Sequence, residues 1–180
     1  MPGKVIFTIG HSTRPVDEFK TILKRYNIQI VSDIRIMPGS RRNPQFNSDN
    51  LRESLETVGI EYTHIKELGG LRKPNKDSSN TGWRNPSFRG YADYMQSEEF
   101  EAGLSKLMKI AKDKTVVIMC AEAVPWRCHR SLVSDALIVR GFQIIDIFTE
   151  SKSHPHSLTP WAKFEGGKLS YPSENASKVE

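Results

Sequence analysis

The sequence predicts an α/β fold: a single domain on a mainly parallel five-stranded sheet, with helices on both faces. Three observations carry this. Short runs rich in β-branched residues recur along the chain. Stretches whose apolar residues fall at helical spacing separate them, and such alternation is typical of parallel strands joined by crossovers. The residues suited to chemistry cluster just after the strand-like runs, where parallel sheets bind ligands.

A first strand is expected over Lys4–Gly10, KVIFTIG. Gly10-His11-Ser12-Thr13 turns off its end, with Ser12 or Thr13 as the expected cap of the next helix. Pro15 falls near the first turn of that helix, where a missing N–H costs nothing. Phe19, Ile22, Leu23 and Tyr26 give the helix an apolar face. The second strand is Ile28–Ile34, interrupted by Ser32-Asp33, and a basic, proline-containing loop follows over Arg35–Phe46. Asn47 or Ser48 starts the next helix, with Leu51, Leu55 and Val58 on one face and Gly59 as its stop.

Ile60–Ile65 reads as the third strand. The long polar stretch Lys66–Ser87 is a loop, and loops of that length are functional or mobile. A short helix over Phe88–Met95 precedes a longer one marked by Phe100, Leu104, Leu107, Met108 and Ala111. Val116–Met119 is the run expected of a strand buried on both faces. Leu132, Val133, Ala136, Leu137 and Val139 follow as a helix packed on the sheet, ended by Gly141. Gln143–Phe148 is the last parallel strand. Residues 1–150 thus form the α/β domain and 151–172 a C-terminal extension. Trp161–Glu165 and Lys168–Tyr171 pair as a small hairpin around Gly166-Gly167. Residues 173–180 read as a disordered tail.

Composition bounds the function. Hydrophobic content of 37% and charged content of 26% lie in the globular range. No apolar run is long enough to span a membrane, and no signal-peptide core follows the start, so a cytoplasmic protein without a membrane partner is expected. Two cysteines make no disulfide framework. A net charge of +5 fits a nucleic-acid or nucleotide partner without requiring one.

The densest chemistry is CAEAVPWRCHR, Cys120–Arg130, between the fourth strand and the last sheet-packing helix. It holds two thiols, a carboxylate, two guanidiniums, an imidazole and an indole. Four motifs, TIGHS (8–12), SDIRIMPGSRR (32–42), ELGGLR (67–72) and this stretch, resemble domain-of-unknown-function family 488. The resemblance runs from about Thr8 to Phe148, and the C-A-E-x-x-P-x-x-C-H-R pattern is its most specific part. It implies an α/β fold and points to these motifs, and it implies no reaction.

Three readings follow from the residues. In the first, the chain hydrolyses a bond in a nucleic acid or nucleotide, glycosylase-like cleavage included. Glu122 or Asp33 activates water, and His11 serves as acid or base. Ser12, Arg35, Arg41, Arg42, Arg72, Arg127, His129 and Arg130 bind phosphate, and Trp126 stacks on a base. In the second, Cys128 or Cys120 is the nucleophile of a phosphatase- or sulfurtransferase-like enzyme on a small anionic substrate. Arg127 falls one residue too late for the thiol-phosphatase spacing, and Glu122 has the wrong sign for a phosphate cradle. In the third, the same arginines bind nucleic acid without catalysis. The duller alternatives are ion pairs, Asp33 with Arg35 and Glu122 with Arg130, and a merely buried Cys120. No cofactor is expected, and no metal: the spacing matches no paired-ligand pattern, and Cys128 and His129 are adjacent.

Overall fold

The computed structural model describes residues 3–173. Its main sheet contains β1 (Val5–Gly10), β2 (Ile30–Asp33), β3 (Glu61–His64), β4 (Val116–Cys120), β5 (Gln143–Ile147) and β6 (Ser153–Pro155). The spatial order is β3-β2-β4-β1-β5-β6. The first five strands are parallel, and β6 runs antiparallel to β5. The sheet therefore has six strands where the sequence predicts five. Ser153-His154-Pro155 has no apolar period to announce it, and proline is tolerated there because the strand lies at an edge.

Among the described residues five α-helices cover the sheet: α1 (Val16–Arg25), α2 (Ser48–Glu56), α3 (Pro86–Tyr94), α4 (Glu98–Asp113) and α5 (Arg130–Ile138). Phe19, Ile22 and Leu23 of α1 and Leu51 and Leu55 of α2 pack with Ile9, Val31, Val117, Met119 and Ile147. On the opposite face Ile6, Ile30, Ile118, Cys120 and Ile144 lie beneath Tyr91, Phe100, Leu104, Leu132 and Val133 of α3, α4 and α5. Alternation along β4 explains the split, since Val117 and Met119 point one way and Val116, Ile118 and Cys120 the other.

The chain steps from β1 to β2 to β3 through α1 and α2, then returns to β4 and β5 through α3, α4 and α5. Parallel crossovers are right-handed, so reversing direction along the sheet changes the face that is crossed. The neighbours β1 and β4 therefore send their connections to opposite faces. That leaves a crevice at their carboxyl ends, the place where open α/β sheets take ligands.

Neither Ser12 nor Thr13 caps α1, whose N-cap is Pro15 with no side-chain bond. Ser12 is instead part of the turn, at φ 52°, with its N–H donated to the Ala121 carbonyl. A two-stranded hairpin, β7 (Lys163–Glu165) and β8 (Lys168–Ser170), turns at Gly166 and Gly167, whose φ values of 58° and 77° suit a tight primed turn. Leu169 and Tyr171 from this segment enter the core beside α5. Residues 174–180 of the expected disordered tail lie outside the described residues.

Candidate functional site

A cavity of about 550 Å³ occupies the crevice. Loops after four strands line it: His11–Thr13 after β1, Arg35 to Asn43 after β2, Gly70 and Leu71 after β3, and Cys120–Ala123 with Cys128 and His129 after β4. Backbone bonds tie the β1 and β4 loops together, His11 N–H to the Cys120 carbonyl at 2.9 Å and Ser12 N–H to that of Ala121 at 3.0 Å. Gly10 makes the approach possible, since a Cβ there would stand 1.5 Å from the Glu122 carbonyl oxygen.

One wall is a fixed polar network. Asp33 is fully buried and accepts from the Arg35 backbone N–H (3.1 Å), from Arg35 Nε (2.9 Å) and Nη2 (2.7 Å), and from the Tyr62 hydroxyl (2.6 Å). Burial and the Asp33 charge push the Tyr62 phenol up, so it stays protonated and donates. Arg35 Nη1 lies 3.3 Å from His11 Nε2, while His11 Nδ1 lies 2.8 Å from the Ser12 carbonyl. Burial lowers the His11 pKa, consistent with a neutral ring whose Nδ1–H donates and whose Nε2 accepts. The ring stacks on Phe46 at 4.4 Å between centroids.

The floor carries sulfur. Cys120 Sγ and Cys128 Sγ are 2.8 Å apart, and both are free thiols. Arg130 N–H points to Cys128 Sγ at 3.4 Å from the first turn of α5. His129 Nε2 bonds the Ile34 carbonyl at 3.0 Å, which leaves Nδ1 facing Cys128 Sγ at 3.5 Å. Burial lowers the His129 pKa to about 4, so the ring is neutral near pH 7. The Arg130 side chain is 0% exposed, and Nε, Nη1 and Nη2 all lack a hydrogen-bond partner among the described residues. Burial alone would push the Cys120 thiol up, but the hydrogen bond with Cys128 and the Arg130 charge outweigh it and bring the pKa down. Cys128 is driven the other way by the same hydrogen bond and by burial. Of the two sulfurs, Cys120 is therefore the one more readily ionised.

The comparison with known families bears on this floor. A family model described as "Domain of unknown function DUF488" matches residues 15–137, more than half of the chain. The chain belongs to the DUF488 family. Among curated proteins and among solved structures nothing matches it. The matched range holds all of Cys120–Arg130, whereas the TIGHS stretch lies before it.

In this DUF488 chain the remaining candidate residues disperse. Glu122 lines the cavity, is exposed, and makes no side-chain bond or ion pair among the described residues; the pairing with Arg130 does not form. Ser12 lines the same cavity. Arg41 and Arg42 are exposed on the loop between Ser40 and Asn43, at the cavity's edge. Arg72 lies over the Tyr94 ring at 3.7 Å, outside the cavity lining. Trp126 is 63% exposed and lines a separate cavity with Trp83, Phe148 and Trp161, and Arg127 is exposed beside it. No group of three or more His, Cys, Asp or Glu among the described residues could hold a metal ion, and no helix among them is long and apolar enough to cross a membrane.

Sequence reasoning did not find two contributors. Tyr62 holds Asp33 in place, and Arg14 braces the β1 loop by donating to the Phe148 carbonyl at 2.7 Å. Tyr62 had a faint signal, as the one aromatic hydroxyl among the polar residues of β3, the strand that pairs with β2. Arg14 had none.

Proposed function

We propose that this DUF488 protein is a thiol-dependent enzyme whose nucleophile is Cys120. One observation carries the reading: two sulfurs 2.8 Å apart on the cavity floor, within the field of a buried guanidinium that has no hydrogen-bond partner among the described residues. A buried positive charge needs a compensating negative one, and a Cys120 thiolate supplies it. The thiolate, not the thiol, is the reactive form of cysteine. The first turn of α5 adds a backbone N–H and its dipole to the same sulfur pair. Ile36, Met37, Leu71, Ala121 and Ala123 line the cavity, and Arg35 is already neutralised by Asp33. That lining favours a small, largely apolar substrate with an electrophilic centre over a polyphosphate.

Asp33 acts here as a positioning residue for Arg35, since Arg35 and Tyr62 occupy its oxygens. A hydrolase using water activated by Glu122 is the second reading, supported by that carboxylate's freedom in the same cavity. The test is the pH profile of iodoacetamide alkylation on the folded chain. Selective modification of Cys120, with a midpoint below the usual thiol value of about 8.5, is the expected result. Modification that requires unfolding, or that favours Cys128, overturns the reading. Loss of turnover in Glu122→Gln with full turnover in Cys120→Ser would establish the hydrolase instead.

A further inference from the structure

We infer that the substrate of this thiol site is a small hydroperoxide, with Cys120 as the attacking and Cys128 as the resolving thiol. The inference rests on the thiol-enzyme reading and adds a substrate class to it. Three observations point there. The sulfurs line the cavity but are only 1% and 5% exposed, so the electrophile must be small enough to reach a nearly covered atom. Hydrogen peroxide and short alkyl hydroperoxides are that small and uncharged; a glutathione-sized disulfide is neither. The second thiol already stands 2.8 Å from the first, so a covalent product on Cys120 is captured without moving a loop. Met37 and Leu71, 75% and 79% exposed, flank the cavity and suit an alkyl group at its mouth.

The chemistry balances. The Cys120 thiolate attacks the terminal oxygen of R–O–O–H, the O–O bond breaks, and R–O⁻ leaves and takes a proton from solvent water as alcohol. Cys120 is then a sulfenic acid, and the peroxide has been reduced by two electrons. The Cys128 sulfur, which faces the neutral His129 Nδ1 at 3.5 Å, attacks Cys120 Sγ as its proton passes to the departing hydroxide. Hydroxide leaves with that proton as water, and a Cys120–Cys128 disulfide remains. An external dithiol restores both thiols. Arg130 stays beneath the pair throughout as the counter-charge to whichever sulfur holds the electrons.

The experiment mixes the reduced full-length chain with one equivalent of tert-butyl hydroperoxide, with glutathione present as competitor. The expected product has lost two hydrogens, maps as a Cys120–Cys128 disulfide, forms before glutathione is oxidised, and returns to dithiol with dithiothreitol. Cys128→Ser, checked for folding by circular dichroism, should accumulate a sulfenic acid at Cys120 that dimedone traps. Oxidation slower than that of glutathione, or peroxide addition at either sulfur without the internal disulfide, overturns the inference. If Cys120 alkylates below the ordinary thiol pH yet the pair resists peroxide, the thiol enzyme stands and the peroxide substrate falls. If it does neither, both fall.

Discussion

Arg130 is the residue on which the site's charge balance turns. Its guanidinium is buried with no hydrogen-bond partner, and its field lowers the Cys120 pKa. Arg130→Met keeps an unbranched stem and removes the charge. The pKa of Cys120 should rise, so the midpoint of its alkylation should move to higher pH. Stability should hold or improve, because replacing a poorly compensated buried charge with an apolar side chain is often neutral or stabilising. Alkylation rate against pH, beside a urea melt, separates the two effects; a loss of stability with unchanged thiol reactivity would make Arg130 purely structural. The inward direction of Arg130 was legible in principle. Its position shares the three- and four-residue helical spacing of Val133, Ser134 and Leu137, all buried. Its lack of a partner was not legible, because the carboxylate weighed as its partner, Glu122, faces solvent. Asp33 and Arg35 were the easier case: two residues apart around a strand end, they form the ion pair weighed there against a catalytic Asp33.

At the scale of elements, the junction of the β1 and β4 loops and the clamp on the C-terminal extension make separate predictions. Gly10→Ala would drive a Cβ into the Glu122 backbone, with the carbonyl oxygen 1.5 Å and its carbon 2.4 Å away. No side chain can swing clear, so the loops must part. The expected cost is about 2–4 kcal/mol in a urea melt, with loss of low-pH alkylation at Cys120. The clamp is His156, whose ring lies 3.1 Å from Asp135 on α5 and 3.2 Å from Asp146 on β5. Thr159 and Tyr171 also donate to Asp135, and Thr8 donates to Asp146. His156→Ala leaves two buried carboxylates without their cation, at an expected cost of about 3–5 kcal/mol. Trypsin should then cut at the exposed Lys152, and a variant as resistant as the parent would disprove the clamp. Sequence reasoning assigned nothing to His156. His156 lies just past the short polar strand β6, and its partners Asp135 and Asp146 lie in α5 and β5, so no local pattern joins the three.

For the whole molecule, the alternation of strand and helix was enough to read the parallel sheet and its two covered faces, because burial imposes a period on every central element. The buried titratable groups follow no such rule, yet they shape stability across pH. His129 is held neutral by burial, its pKa lowered from 6.5 to about 4, and His11 is shifted the same way. Between pH 6.5 and 4 the unfolded chain binds protons that the folded chain refuses, so stability falls as pH drops through that window. Burial opposes the charged form of His156, but hydrogen bonds to Asp135 and Asp146 outweigh it and raise the pKa from 6.5 to about 9. Between pH 6.5 and 9 the folded chain holds a proton the unfolded chain has released, so stability falls as pH rises through that window. The two limbs predict a maximum near pH 6.5, with slopes of about 1.4 kcal/mol per pH unit for each fully active histidine. Urea melts from pH 4 to pH 9.5 measure the curve. His156→Gln should flatten the alkaline limb alone and His129→Asn should flatten the acid limb, leaving the slope from His11. A His156→Gln curve that keeps the parent's slope from pH 7 to 9 would mean that His156 is not a protonated tie between α5 and β5 in solution.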